Sequence, residues 1–286
     1  MFTLRKKRKL MLAVCLPLIM SGCQNVQASP VPPIIEDEYP LPPLNLPIEK
    51  EPPKATKPID SEFWDVTDTD ISQIDTSKKL IAFTFDDAPA RTLENIVAVF
   101  ARYNERNADC PATATLFCNG HLCHPTSMQT LKAAHALGFE MGNHSYSHPD
   151  LTTLDESTLK AEIQKTDVLL EEIDGKQTHL FRAPFGRING LTCSLVQAPV
   201  LDWTIDTLDW TGASVEDIYN CVWQGRFDGA IVLMHDGYDN TVDALKKLLP
   251  DLKADGYQAV TISQMSKANA CPLRKGSVYI RARKKN

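Results

Sequence analysis

Aromatic residues are scarce, at 7% of the 286 residues, and no apolar run is long enough to cross a bilayer. The best candidate, Leu10 to Met20, falls short of the ~20 residues a spanning helix needs. Cations are not in excess either: 30 Lys and Arg stand against 36 Asp and Glu, a formal charge of −6. Binding a phosphate polymer requires clustered Lys and Arg, so this balance argues against a nucleic-acid partner. There is no internal repeat. What is present is a hydrophobic share of 43%, ordinary for a globular protein and enough for a sizeable core. The length exceeds the usual single domain, but one α/β barrel can absorb it.

The N-terminus reads as a targeting segment rather than a fold element. Arg5, Lys6, Lys7, Arg8 and Lys9 form a basic region, Leu10 to Met20 an apolar one, and Met20-Ser21-Gly22-Cys23 follows. Small residues ahead of a cysteine resemble the lipobox of bacterial lipoproteins. That resemblance implies a signal peptide over 1–22, a lipidated Cys23, attachment to the membrane through the lipid and an extracytoplasmic location. An ordinary secretory signal cut near Ala28-Ser29 is the alternative. Loss of the five basic residues takes the formal charge from −6 to −11, so the mature chain is acidic.

Residues 23–75 read as a linker. Ten of the nineteen prolines lie between Ser29 and Pro58, mixed with Glu and Lys, a composition that favours extended polyproline II. At roughly 3 Å per residue, some 50 residues of this kind act as a semi-rigid spacer of order 100 Å. Export also fits the cysteines. With Cys15 lost and Cys23 lipidated, Cys110, Cys118, Cys123, Cys193, Cys221 and Cys271 remain, and an even count in an oxidising compartment suggests up to three disulfides. The run Cys118-Asn-Gly-His121-Leu-Cys123-His124 has no second Cys/His pair to complete a zinc knuckle.

From residue 76 to 270 the pattern changes. Short apolar runs at Leu80–Phe85, Ala112–Phe117, Glu140–Gly142, His179–Phe185, Pro199–Ile205, Ala230–Met234 and Gln258–Ile262 read as buried strands. Amphipathic stretches follow most of them, among them Thr92–Tyr103, Glu156–Ile173, Val215–Trp223 and Val242–Asp255. Alternating strands and helices predict a parallel sheet, and about seven units in one block predict an α/β fold of distorted (β/α)7-barrel type. Residues 271–286 read as a basic tail.

In such barrels function sits at the C-terminal ends of the strands. Those ends carry Thr84-Phe85-Asp86-Asp87-Ala88-Pro89, His144-Ser-Tyr-Ser-His148, Arg182-Ala-Pro184-Phe185-Gly186, Asp206-Thr-Leu-Asp209-Trp210 and Leu233-Met-His235-Asp236. Two adjacent buried carboxylates repel unless something positive holds them. A carboxylate with two histidines is a common set for a divalent metal that keeps positions open for water or substrate. A third histidine and an arginine arrive from other strand ends, as an acid/base and a charge clamp would. An Asp-Asp pair or a lone His-x-x-x-His says little; their conjunction in order says much more.

As a set, these five motifs closely resemble those of the NodB-homology polysaccharide deacetylases, carbohydrate esterase family 4, over residues 78–266. The resemblance implies that Asp87, His144 and His148 hold a divalent metal, zinc first, with cobalt, nickel or manganese as alternatives. It implies Asp86 as general base, Arg182 as its partner, and the Phe185 N–H as an oxyanion donor. His235 would protonate the leaving amine and Asp209 would orient it. Trp210 and Leu233 would line the acetyl pocket, with Pro184 beside the substrate. The implied substrate is an N-acetylated polysaccharide, peptidoglycan first, with chitin oligomers or acetylxylan within the same family's range. A catalytically silent wall-binding lipoprotein is a different class of reading, and the retention of every motif group opposes it. Two positions depart from the family pattern: Ala88 stands where glycine is usual, and Phe185 where tyrosine is more common.

Overall fold

A computed structural model describes residues 62–283. Cys23, the targeting segment and nearly all of the proline-rich stretch lie outside them. Among the described residues the strands form one sheet with every pairing parallel, in the order β6-β7-β1-β2-β3-β4-β5-β9. These strands are β1 (Lys79–Ala88), β2 (Thr115–Cys118), β3 (Glu140–Asn143), β4 (Leu180–Phe181), β5 (Val200–Leu201), β6 (Ile205–Asp206), β7 (Ala230–His235) and β9 (Val278–Tyr279). β8 (Tyr257–Ala259) pairs with the first three residues of β1. Helices α1 (Leu93–Arg106), α2 (Pro125–Ala136), α3 (Glu156–Asp174), α4 (Gly190–Leu195), α5 (Val215–Gly225), α6 (Asp239–Ala254) and α7 (Ile262–Ala268) intervene. The result is a curled half-barrel of α/β type.

Strand alternation divides the core in two. Ile81, Phe83 and Phe85 of β1 pack with Phe100 of α1 and Leu245 and Leu248 of α6, the layer between sheet and helices. Leu80 and Ala82 face the other way, into a lumen shared with Phe117, Leu180 and Ile231. Ile262 and Met265 of α7, with Leu273 and Ala282, join this inner cluster, so the lumen is a packed core and not a pore. Local chemistry sets the helix ends. Asp155 caps α3 by accepting from Thr158 N at 2.8 Å, and Gly175 ends it in the left-handed conformation.

Two of the expected strands differ most from the apolar runs. Pro199–Ile205 divides into β5 and β6, which lie far apart in the sheet order, so residues 202–204 cross a seam where the ladder does not close. The Arg182 guanidinium takes the carbonyl oxygens of Leu201 at 3.0 Å and Asp202 at 3.1 Å there, which satisfies acceptors a strand partner would otherwise take. His179–Phe185 keeps only Leu180–Phe181 as strand, because the chain turns at Pro184–Gly186 with Phe185 at φ 60°.

The C-terminal segment, expected as a tail, is built into the body. β9 pairs with β5, Arg281 bridges to Ala230 of β7, and Ala282 N donates to Gly229 O, so this segment straps the open side of the seam. The disulfide expectation fails: all six cysteines are free thiols, and Cys110 and Cys118 are buried as apolar core residues. No helix among the described residues is long and apolar enough to cross a membrane.

Candidate active site

The ends of β1 and β3 build one side of the mouth. Thr84 and Asp86 point into the lumen, whereas Asp87 takes φ 62° and turns out of the strand line. The two neighbours consequently differ: the Asp86 side chain is 6% exposed and that of Asp87 35%. His144 Nε2 lies 3.9 Å from Asp87 Oδ1, and His148 Nε2 lies 3.5 Å from the same oxygen. One ligand atom from each of these three residues falls within 4.8 Å of the other two. His144 Nδ1 is 2.7 Å from the carbonyl oxygen of Arg182, which can only accept, so the proton sits on Nδ1 and Nε2 keeps its lone pair. A carboxylate and two imidazoles at this spacing fit a single divalent cation.

Beneath them, Arg182 is fully buried over the Phe117 ring and donates from Nη1 to Asp86 Oδ1 at 2.8 Å and to Thr84 Oγ1 at 2.7 Å. Burial, the largest influence, would raise the Asp86 pKa, but the Arg182 charge and hydrogen bond together with the nearby His144 and His235 outweigh it and hold the carboxyl below the usual carboxylate range. Asp86 is therefore an ionised, oriented carboxylate.

The opposite side comes from β6 and β7. His235 Nδ1 is 2.8 Å from Asp209 Oδ1, and Asp209, 1% exposed, also accepts from His235 N, Trp210 N and Thr241 Oγ1. Burial lowers the His235 pKa, while the Asp209 hydrogen bond and the Asp86 and Asp209 charges raise it, and the net shift is upward. The imidazolium form is thereby favoured. The His148 pKa is shifted down, by burial and by the neighbouring His144, which favours the neutral form that a ligand needs.

The remaining sequence-derived residues also reach this mouth. Phe185, with Gly186 at φ 64°, forms a left-handed turn after β4, and its ring stands 4.6 Å from that of His148. Pro184 is buried at the base of this turn. Leu233 pairs with Thr84 and is 4% exposed, whereas Trp210 is 53% exposed on the rim. Ala88 needs no left-handed backbone: the positive φ belongs to Asp87, so alanine at 88 carries no such penalty and its methyl is buried in the core.

Several supporting residues were not singled out from the sequence. Asn119, immediately after β2, donates to Asp87 Oδ1 at 2.8 Å. Its position at a strand end was the available signal. Asp236 accepts from Ala90 N, Thr92 N and Thr92 Oγ1, which ties the 88–92 loop to β7, and its own pKa is raised by burial. Thr241, on α6, offers no motif by which to find it.

A polysaccharide deacetylase profile matches residues 73–199. The peptidoglycan-N-acetylglucosamine deacetylase of Bacillus cereus is 33% identical over 204 residues, covering 68% of this chain and 91% of that protein. This chain belongs to the polysaccharide deacetylase family. The peptidoglycan-N-acetylmuramic acid deacetylase PdaC of Bacillus subtilis is 34% identical over 196 residues, which span 67% of this chain and only 40% of that longer protein. In solved form, PdaC superposes with a TM-score of 0.63 at 33% identity, over 69% of this chain and 94% of the solved one. A xylanase-linked domain of the same esterase family superposes at 0.67 with 26% identity, over 73% of this chain and all of that domain.

Proposed function

We propose that this chain is a metal-dependent hydrolase that removes acetyl groups from N-acetylglucosamine units of peptidoglycan, acting outside the cytoplasm while anchored through a lipid on Cys23. The observation that carries the reaction class is the meeting at one mouth of an ionised base on Arg182, a cation-ready Asp–His–His set and an Asp-held histidine. Relatives named as peptidoglycan deacetylases support the substrate. Support for the anchor comes from the sequence alone: a basic run, an apolar run and Ser-Gly-Cys in order.

Asp87, His144 and His148 would hold a divalent ion, and such an ion would supply Lewis acidity and lower the pKa of water at the site. Asp86 takes the proton of the attacking water. The Phe185 N–H, in the turn after β4, is assigned as the donor to the oxygen on which charge develops. His235, held by Asp209, gives its proton to the departing nitrogen, because an amine leaves poorly unless protonated. Trp210 and Leu233 line the space for the acetyl methyl, with Pro184 beside the sugar.

Acetate release from peptidoglycan, chitin oligomers and acetylxylan, before and after removal of metal by a chelator, tests this reading. Release from peptidoglycan that stops on chelation and returns with zinc is the expected result. Release from acetylxylan alone would move the assignment to ester hydrolysis, for which the bifunctional xylanase/xylan deacetylase of Cellvibrio japonicus is the precedent. For the anchor, Cys23→Ala should leave the protein without acyl groups and free of the membrane fraction.

A further inference from the structure

The segment 144–148 carries two of the three metal-ligand candidates and is folded in a costly way. Ser145 and His148 both take left-handed backbone, at φ 67° and 59°, although neither is glycine. Such a turn persists only where its surroundings over-determine it. Part of that hold comes from the strand side: Asn143 Oδ1 accepts from Ser145 N at 2.9 Å, while Asn143 Nδ2 donates to Ile163 O and to Asp167 Oδ1. Gly120 N and His121 N donate to the carbonyl oxygens of Ser145 and Tyr146. From α3, Glu162, which is 9% exposed, supplies the acceptors for the turn's own donors. Its Oε2 accepts from Tyr146 N at 3.0 Å and Ser147 N at 2.8 Å, and its Oε1 from Ser147 Oγ at 2.8 Å.

We propose that Glu162 is a positioning residue for the metal site: a built-in anion around which residues 145–148 fold, fixing His148 opposite Asp87. Successive N–H groups in a left-handed turn make an anion-binding concavity, and a buried carboxylate with three donors fills it from within the fold. Glu162 touches neither the metal ligands' side chains nor the reacting atoms. It acts through the backbone of Tyr146 and Ser147, one residue short of His148. Glutamine can still accept both N–H groups on one oxygen and donate from its nitrogen to Ser147 Oγ, so it is the conservative variant; alanine leaves the two amides without a partner.

This inference rests on the metal reading given above. The test is zinc titration into the chelator-stripped full chain, in competition with a chromophoric chelator, alongside the melting temperature of the metal-free protein. Outer-shell partners of metal ligands typically change affinity about 10–100-fold, so Glu162→Ala should weaken zinc binding by that order and Glu162→Gln by clearly less. Leu170→Ala, a core truncation in the same helix, should lower the melting temperature while keeping wild-type affinity. If Glu162→Ala binds zinc like the wild type, the proposal falls. It also falls if Leu170→Ala, at equal loss of melting temperature, loses as much affinity as Glu162→Ala. Should Glu162→Ala fail to fold, Ser147→Ala removes one of the three bonds from an exposed position and should cost a few-fold in affinity; wild-type binding there overturns the proposal as well. A wild-type chain that binds no divalent metal would instead overturn the metal reading and this inference together.

Discussion

The two sides of the mouth are built on different principles. On the β1–β3 side the functional groups stand on strained backbone: Asp87, Ser145 and His148 all have positive φ, and they are held by Asn119, Asn143 and Glu162. On the β6–β7 side one buried carboxylate does nearly all the holding, because Asp209 accepts from two backbone N–H groups, the His235 ring and Thr241. A metal demands three donors aimed at one point, which regular strands do not supply, so the chain leaves the strand geometry to provide it. An acid needs only one proton poised and one partner to favour the charged form. The first side should therefore fail by losing its ligand geometry, the second by losing a proton.

The largest effects separate two adjacent residues. Asp87→Ala removes one of only three protein ligand candidates and should abolish tight zinc binding, with some activity restored by excess metal. Asp86→Asn keeps shape and ligand set but cannot accept a proton. It should bind zinc normally and lose about 10²–10⁴-fold in kcat, beyond rescue by added metal. Metal titration by calorimetry beside deacetylation rates decides the matter, and the reverse pattern would exchange the two roles.

On the acid side, His235→Ala should cost about 10²–10⁴-fold on an N-acetylated oligosaccharide while zinc binding stays as in the wild type. Its loss on an activated acetate ester should be smaller, because that leaving group needs less protonation. Equal losses on both substrates would remove His235 from the acid role. A smaller effect attaches to Thr241→Val, which takes one of the bonds from Asp209. A several-fold fall in kcat with unchanged KM is expected, on the order of the ~1 kcal/mol such a bond contributes.

The unevenness between the two sides also governs what was legible in the sequence. The alternation of strands and helices and the parallel sheet could be read because apolar runs alternate with helical ones, and the polar motifs could be placed because they sit at the ends of those runs. The seam was not legible: Pro199–Ile205 is uniformly suited to a strand, and only the lumenal Arg182 and the strap at 278–282 decide that it divides. Ala88 looked like a departure needing compensation, yet the unusual φ lies one residue earlier, at Asp87. Glu162 and Asp167 fall inside the amphipathic stretch Glu156–Ile173, and Asp174 just beyond it. That they turn inward to hold a loop and a histidine depends on packing that no local pattern encodes.

That histidine offers the last way to sharpen the comparison, since it roots the strained side. His179 Nδ1 lies 2.9 Å from Asp167, the acceptor of Asn143, and its Nε2 lies 3.1 Å from Asp174. Burial alone would lower its pKa, but the hydrogen bonds and charges of the two carboxylates prevail and push it up to about 9. A folded-state pKa above the unfolded value of 6.5 means that folding favours the protonated form. The stabilisation is complete below pH 6.5 and is lost as pH rises through about 9. The shift corresponds to about 3 kcal/mol. His179→Gln removes the titration, so the stability gap between wild type and variant, from urea unfolding, should be widest near pH 6 and close progressively toward pH 9.5. Because His179 supports the metal side alone, zinc affinity should weaken in the variant while the Asp209–His235 pair stays intact. A gap that instead grows as pH rises from about 6 to 7.5 would show that His179 is neutral in the folded protein. The chain from Asp174 through His179 and Asp167 to Asn143 would then hold the metal loop by hydrogen bonds without a buried charge.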